Sequence, residues 1–79
     1  MLSKVADMTQ LPLLSGREII KTLARAGYYE VRQRGSHIRL RHKTRRPVTV
    51  PNYPTVSRGL LSKILRETEI TVAEFADLL

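Results

Sequence analysis

The sequence predicts an α+β domain with an α-β-β-β-α order and a short extra helix at its C-terminus. Three observations support this prediction: two capping boxes that start helices, two extended runs joined by Gly35-Ser36, and a third extended run closed by Pro51. A chain of 79 residues has room for a thin aliphatic core between two layers. We therefore expect a loose tail at residues 1–10, and a single domain at residues 11–79 whose helices pack on one face of a three-stranded antiparallel sheet.

The first helix is predicted at residues 16–26. Ser15 and Glu18 have the spacing of a capping box, in which each side chain accepts a hydrogen bond from the other residue's backbone. Apolar residues then recur at helical spacing, and Gly27 is a usual C-terminal stop. The helix thus precedes every strand.

Two further helices are predicted after the strands. Ser57 is a candidate N-cap for a helix that carries an apolar stripe and ends near Thr68. Thr71 and Glu74 form a second capping box, which starts a short terminal helix.

The hairpin between the first helix and the third strand is the informative stretch. A two-residue loop that begins with glycine, as Gly35-Ser36 does, is typical of type II′ hairpins, and it joins predicted strands at residues 28–34 and 37–42. A regular register follows from this loop. On one face Arg34, Arg32 and Glu30 lie opposite His37, Arg39 and Arg41, and on the other Gln33, Val31 and Tyr29 lie opposite Ile38, Leu40 and His42. We expect a basic face, a mainly apolar face, and a third strand at Val48, Thr49 and Val50.

The charge of the chain indicates a polyanionic partner. Fourteen Lys and Arg against seven Asp and Glu leave a net charge of +7, which attracts nucleic acid at long range. Seven of these cations fall between Arg32 and Arg46, where the sequence has no acidic residue. A solvated face is the usual role of strand cations, but clustering on one side favours a binding site.

Several classes of site are excluded or disfavoured. The chain has no cysteine, which excludes disulfides, thiolate catalysis and cysteine-bound zinc. His37 and His42 have opposite parity in one predicted strand, so they should point apart and share no metal ion. No apolar run reaches transmembrane length. We expect a cytoplasmic protein with no metal site, no small-molecule cofactor and no contact with a membrane.

Several motifs resemble those of the HicA toxin family. They are Ser-Gly-Arg-Glu at 15–18, Ala26-Gly27, Arg-Gln-Arg-Gly-Ser-His at 32–37 with Ile38, Arg39 and Leu40 behind it, Val-Thr-Val-Pro at 48–51, Gly59-Leu60, Ile64-Leu65, Thr71-Val72 and Glu74-Phe75. The likeness covers residues 11–79. Two positions depart from the family pattern: Asn52-Tyr53-Pro54 stands where many relatives have a histidine, and Glu69 stands where a glycine is usual.

The resemblance implies a double-stranded-RNA-binding-like fold and the toxin of a two-component toxin–antitoxin system. It implies an endoribonuclease that cleaves mRNA and blocks translation, with His37 as its essential histidine. It also implies neutralisation by direct binding of a HicB-like antitoxin protein. If Glu69 keeps the left-handed geometry of the usual glycine, the local cost is about 1 to 2 kcal/mol.

The residues around His37 fit metal-independent cleavage of RNA. Histidine titrates nearest to neutral pH and is therefore suited to acid or base catalysis. Arginines on the same face can hold a phosphate and its developing charge. Only RNA has the 2′-hydroxyl that makes the attack intramolecular, which predicts a cyclic phosphate product. The predicted RNA-binding residues are Arg32, Arg34, Gly35, Ser36, Arg39 and Arg41, with the loop serving to present His37.

Two features of this site stay open at the level of sequence. The second proton-transfer group can be Tyr53, Ser36 or water. The helix cations Arg58, Lys63 and Arg66 can extend the RNA contact, meet an acidic partner, or be ordinary solvated residues.

Two other functions compete with the ribonuclease. A non-catalytic RNA-binding module of the same fold would use the basic face without needing His37. A DNA-contacting subunit of a repressor complex is the third possibility, and the absence of a helix-turn-helix signature weighs against it.

Overall fold

The computed structural model describes residues 8–79 and has the predicted α+β order. A short 3₁₀ helix at Met8–Gln10 precedes α1 at Gly16–Arg25, and the strands follow as β1 at Tyr29–Arg34, β2 at His37–Arg41 and β3 at Val48–Pro51. Helices α2 at Arg58–Thr68 and α3 at Val72–Leu78 complete the chain. The strands form one antiparallel sheet in the order β1-β2-β3.

The core lies on one face of the sheet, as predicted. Alternate residues of β2 and β3 are buried, which is the pattern of a sheet with one covered face and one solvated face. These strand residues pack against the apolar sides of the helices. The main buried side chains are Ile38, Leu40, Val48 and Val50 from the sheet, and Ile19, Leu23, Leu61, Ile64, Leu65 and Phe75 from the helices.

All three helices start at the predicted caps. The Ser15 hydroxyl accepts from the Glu18 backbone N–H, and the Glu18 carboxylate accepts from the Ser15 backbone N–H. Thr71 and Glu74 repeat this arrangement, and the hydrogen bond from the Thr71 backbone lowers the pKa of Glu74. Ser57 caps α2 by accepting from Leu60. The caps therefore determine where each helix begins.

The hairpin loop has the predicted geometry, whereas the register beyond it is only partly as expected. Gly35 has a φ of 56°, which type II′ turns require at their first loop position. The pairs Arg34–His37, Gln33–Ile38 and Arg32–Arg39 are those expected.

A β-bulge overturns the rest of the predicted register. The register shifts between Glu30 and Arg32, so that Glu30 lies opposite Leu40 and Tyr29 opposite Arg41. The expected pairs of Glu30 with Arg41, Val31 with Leu40 and Tyr29 with His42 are therefore wrong. The extra residue is Val31, and such bulges occur preferentially at sheet edges.

The bulge also changes what β1 contributes to the core. Every residue of β1 is exposed, including Tyr29 and Val31 at 51% and 45%. The predicted apolar face of this strand is wrong, because β1 is an edge strand that the helices do not cover. Glu30 pairs with Arg17 of α1 at 2.6 Å and lies away from the arginines of β2.

The loop between β2 and β3 is held by His42. Its Nε2 lies 2.8 Å from the Ala26 carbonyl oxygen, and its Nδ1 accepts from the backbone N–H groups of Thr44 and Arg45 at 3.1 Å each. Since a carbonyl can only accept, these contacts require the neutral Nε2–H tautomer. His42 therefore has a structural role, and it packs on Tyr28 with 4.9 Å between the ring centres.

Tyr28 is the buried phenol beside this loop. Its hydroxyl donates to the Arg46 carbonyl at 2.8 Å. Burial raises the pKa of the Tyr28 phenol, an effect that Glu69 adds to and Arg45 opposes.

The residue that caps the end of helix α2 is in the left-handed region. This residue is Glu69, which stands where a glycine is usual. Glu69 has φ 58° and ψ 33°, a conformation that favours glycine. The Arg45 guanidinium donates to the carbonyls of Thr68 and Glu69 at 3.0 and 3.3 Å. Arg45 thus satisfies carbonyls at the helix end that would otherwise lack a partner.

The first helix is fastened to the end of β3. The Gly16 N–H donates to the Tyr53 carbonyl at 2.9 Å, and a side chain on Gly16 would collide with the Pro51 carbonyl. Further along the same pair of segments Leu14 forms a bridge with Val56, and Arg58 donates to the Met8 and Leu11 carbonyls at 3.1 and 2.8 Å. Residues 1–7 of the tail predicted at residues 1–10 lie outside the described residues.

Candidate active site

His37 lies at the start of β2 on the face of the sheet that the helices leave open. It follows the Gly35-Ser36 loop directly and is paired with Arg34 on β1 and with Pro51 on β3. Its side chain is exposed and has no hydrogen-bond partner among residues 8–79. The hairpin therefore presents a free imidazole to solvent, because both ring nitrogens are available to a ligand.

The predicted arginines lie on this same face, which we call the outer face of the sheet. Arg34 and Arg32 lie opposite His37 and Arg39, so all four point to one side. Arg41 follows Arg39 by two residues and shares its side. Arg32, Arg34 and Arg41 are exposed and make no hydrogen bond or ion pair within the described part of the chain.

Among the described residues, Arg39 is the member of this set that has a hydrogen-bond partner. Its side chain is half-buried, and its guanidinium donates to the Thr49 hydroxyl at 3.0 Å. Three surface grooves meet at Arg39: one extends toward His37, one toward Arg32 and Arg41, and one toward Arg46. Arg39 is therefore the central cation of the outer face.

The groove beside His37 is an open cleft of about 410 Å³ between the outer face and helix α2. We call it the α2 cleft. One wall is β2 and β3, the other is one side of α2, and the loop after β3 closes one end. Its lining residues are His37, Arg39, Thr49, Pro51, Tyr53, Leu60, Lys63, Ile64 and Glu67.

The α2 cleft contains residues on both walls that the sequence does not single out. The sequence leaves the role of Lys63 open and gives no reason to select Thr49 or Glu67. Lys63 and Glu67 are one helical turn apart on α2 and both face the α2 cleft. Their spacing from Leu60 and Ile64 places all four on one side of the helix, which is a signal present in the sequence. That this side adjoins β3 and His37 follows only from the packing of α2 against the sheet.

The structure separates the candidates for the second proton-transfer group. Tyr53 lines the α2 cleft together with His37 and is 41% exposed. Ser36 is exposed in the hairpin loop, and its carbonyl accepts from Asn52 at 2.6 Å. Tyr53 therefore shares the cleft with His37, whereas Ser36 is not one of the residues that line it.

Three other cations have structural partners. Arg45 and Arg58 bind backbone carbonyls, as described above, and Arg66 donates to Ser62 on its own helix at 3.3 Å. Within the cation cluster of residues 32–46, Arg32, Arg34, Arg39 and Arg41 therefore lie on the outer face, whereas Arg45 holds the end of α2.

The described residues offer no clustered metal ligands and no membrane span. Within residues 8–79 no three His, Asp or Glu side chains lie close enough together to hold a metal ion. None of the helices in this part of the chain is long and apolar enough to cross a membrane.

Comparison with known protein families identifies the domain. The family model described as the HicA toxin of bacterial toxin–antitoxin systems matches residues 16–70. The chain belongs to the HicA toxin family. The match to HicA spans α1, the whole sheet and α2, and thus includes His37, the outer face and both walls of the α2 cleft. No curated protein matches the chain. HicA membership makes this protein the toxin of a toxin–antitoxin pair.

Proposed function

We propose that this toxin is a metal-independent endoribonuclease that cleaves mRNA and blocks translation, with His37 as its catalytic residue. The observation that carries the proposal is the placement of a free, exposed imidazole among arginines on the outer face, beside an open cleft. Because the substrate is mRNA, we place its action in the cytoplasm.

The chemistry proceeds by attack of the RNA 2′-hydroxyl on the adjacent phosphorus. His37 accepts the 2′-hydroxyl proton as the O2′–P bond forms, and the P–O5′ bond breaks. A proton donated to O5′ by water or by the hydroxyl of Tyr53 or Ser36 leaves a 5′-hydroxyl on one product and a 2′,3′-cyclic phosphate on the other. The attack is intramolecular, so the protein must orient the ribose and phosphate but needs no second nucleophile.

The arginines supply the electrostatic part of catalysis. The transition state carries additional negative charge on the non-bridging phosphate oxygens, and fixed cations stabilise this charge more than they stabilise the substrate. Arg39 is held by Thr49 and needs little reorganisation to bind a phosphate. Arg34 lies directly opposite His37 and can contact the same phosphate. Arg32 and Arg41 extend the binding face along the strand, and Gly35 and Ser36 let the RNA backbone approach.

The same face suits a HicB-like antitoxin. Arg32, Arg34 and Arg41 have no protein partner among residues 8–79, so an acidic surface can pair with them and increase the rate of association. We propose that the antitoxin covers His37 and thereby excludes RNA. A toxin–antitoxin complex that leaves His37 exposed and keeps full activity would contradict this mode of neutralisation.

The decisive experiment compares wild-type protein with His37→Ala on a labelled single-stranded RNA in excess chelator, with products resolved on a denaturing gel. We expect wild type to cut the RNA and the variant to lose at least about a hundredfold in rate, which is typical of removing a general acid or base. His42→Ala is a useful second variant, because His42 has a structural role. The folded fraction of this variant should cleave RNA at the wild-type rate.

The outcomes separate the competing functions. Cleavage by wild type alone, with His37→Ala still folded by circular dichroism, supports the ribonuclease. RNA binding by both proteins without cleavage by either indicates the non-catalytic RNA-binding module. A gel-shift preference for duplex DNA over RNA indicates the DNA-contacting subunit.

A further inference from the structure

We infer that the α2 cleft is a nucleobase subsite that binds the base next to the scissile phosphate and prefers guanine through Glu67. The inference deepens the proposed ribonuclease function and rests on it. In the proposed function the reacting phosphate binds at His37 and Arg39, which line the sheet wall of the cleft. A base attached to that nucleotide has only a short reach, and the α2 cleft adjoins this position and contains Leu60 and the Tyr53 ring.

The size and walls of the cleft suit one planar base. Its volume of about 410 Å³ lies within the range of about 300 to 1,000 Å³ that is usual for small-molecule sites. Leu60 is the half-buried apolar residue of its α2 wall, the lining residues Pro51 and Ile64 are themselves buried, and Tyr53 supplies an aromatic ring that is 41% exposed. Stacking on an exposed aromatic ring is the usual way in which proteins bind an unpaired base.

Glu67 gives this cleft a preference among bases. It is the one carboxylate that lines the cleft, and within residues 8–79 it makes no hydrogen bond or ion pair. A carboxylate only accepts hydrogen bonds. Guanine presents two adjacent donors, N1–H and the N2 amino group, which match the two carboxylate oxygens. Uracil presents a single N–H between two carbonyls that repel a carboxylate, so it should bind worst.

Lys63 distinguishes this cleft from a purely apolar groove. It lies one turn before Glu67 on the same side of α2 and places a positive charge opposite Arg39 across the cleft. Cations on both walls favour a ligand that carries a phosphate beside its base. This charge pattern favours binding of a nucleotide over binding of an apolar side chain of a protein partner.

The test uses oligonucleotides that contain one ribonucleotide in a DNA chain, so that only one bond has the required 2′-hydroxyl. One series varies the base of that ribonucleotide, and a second series varies the base that follows it. We expect wild type to prefer guanine over uracil in one of the two series by at least about fivefold in kcat/KM. Glu67→Gln should lower this preference to less than about twofold, because an amide presents a donor as well as an acceptor.

Three further variants test whether base preference depends on the Glu67 carboxylate and whether binding depends on the Tyr53 ring. Glu69→Gln is the matched control, since it makes the same change two residues away and outside the cleft, and it should keep the wild-type preference. Tyr53→Ala should lower kcat/KM for all bases by about tenfold, because the bound base no longer stacks on the ring. Tyr53→Phe should keep the wild-type base preference, because stacking on the base needs the ring and not the hydroxyl; a fall in kcat for all bases would instead assign proton transfer to that hydroxyl.

The failure of this inference is distinguishable from the failure of the proposed function. If wild type cleaves RNA but Glu67→Gln keeps the same base preference, the guanine subsite is wrong and the ribonuclease stands. If wild type cleaves nothing, the subsite is tested by titrating guanosine 3′-monophosphate and uridine 3′-monophosphate into isotope-labelled protein. Tighter binding of the guanosine nucleotide, with amide shifts at Thr49 and Lys63, supports the subsite, and binding of neither nucleotide overturns it.

Discussion

The two histidines of this protein have the same side chain but opposite surroundings. His37 has no hydrogen-bond partner among the described residues, whereas the ring nitrogens of His42 contact three backbone groups. A free imidazole can exchange protons with a substrate, and a fully bonded one holds the backbone around it. Hydrogen bonding therefore gives His42 a structural role, and exposure leaves His37 available for the proposed catalytic role.

His42→Ala is expected to lower the free energy of unfolding by about 2 kcal/mol, because it leaves the Ala26 carbonyl and two loop N–H groups without their partner. His37→Ala, which removes an exposed side chain, should change it by less than about 0.5 kcal/mol. Urea denaturation followed by circular dichroism measures both values. Equal losses in the two variants would contradict the structural assignment of His42.

Glu69 is a second residue whose backbone decides its effect on stability. Glu69→Gly is expected to raise the free energy of unfolding by roughly 1 kcal/mol. Relief of a left-handed residue contributes about 1 to 2 kcal/mol, and the greater freedom of glycine in the unfolded chain offsets part of it. Glu69→Ala is the control, since alanine keeps the unfavourable φ. If both variants have the same urea midpoint, relief of backbone strain at residue 69 does not explain a change in stability.

At the scale of elements, β1 departs most from its sequence pattern. The alternation of Tyr29, Val31 and Gln33 predicts an inward face, but the bulge at Val31 and the edge position leave the strand exposed. A bulged, arginine-bearing edge is a poor template for pairing with another chain. The departure thus leaves β1 free to present Arg32 and Arg34 on the outer face.

Val31→Thr is expected to change the free energy of unfolding by less than about 0.5 kcal/mol, as is usual for an exposed site. Val50→Thr makes the same chemical change at a fully buried position and should cost about 1 to 3 kcal/mol, because it buries a hydroxyl. Denaturation of the two variants under identical conditions gives the comparison. A large loss for Val31→Thr would mean that β1 is covered in solution.

At the scale of the whole molecule, the arginines that contribute to the net charge of +7 have two different roles. Arg45 and Arg58 bind backbone carbonyls, while Arg32, Arg34, Arg39 and Arg41 lie on the outer face. The second set holds no backbone carbonyl and, with Lys63 of the α2 cleft, is placed to neutralise phosphates. RNA affinity should therefore depend on salt through the outer face and this cleft, and not through Arg45 or Arg58.

Arg39→Gln is expected to make RNA binding less dependent on salt. For single strands, the slope of log K against log salt falls by about 0.7 for each phosphate that the protein no longer neutralises. Arg45→Gln should keep the wild-type slope and lower the free energy of unfolding instead, since it exposes the carbonyls at the end of α2. Binding to a non-cleavable DNA analogue of the RNA, measured at several salt concentrations, separates the two effects. Equal slopes for Arg39→Gln and wild type would remove Arg39 from the interface.

Much of this molecule is determined by local sequence. Ser15, Ser57 and Thr71 start the three helices because a cap needs only its own side chain and the next turn of backbone. Gly35 sets the hairpin loop, and the loop aligns Arg34 with His37 and Arg32 with Arg39 because pairing near a tight turn follows directly from its geometry. The basic outer face and its central histidine were thus predictable.

The tertiary structure alone decided the bulge at Val31, the exposure of β1 and the α2 cleft. Each depends on which elements lie beside one another, and residues far apart in sequence determine that packing. Lys63 and Glu67 belong to the cleft because α2 packs along β3, and His42 is structural because the end of α1 comes within 2.8 Å of its ring. Local patterns carry no information about such distances, so the second wall of the candidate site emerged only from the fold.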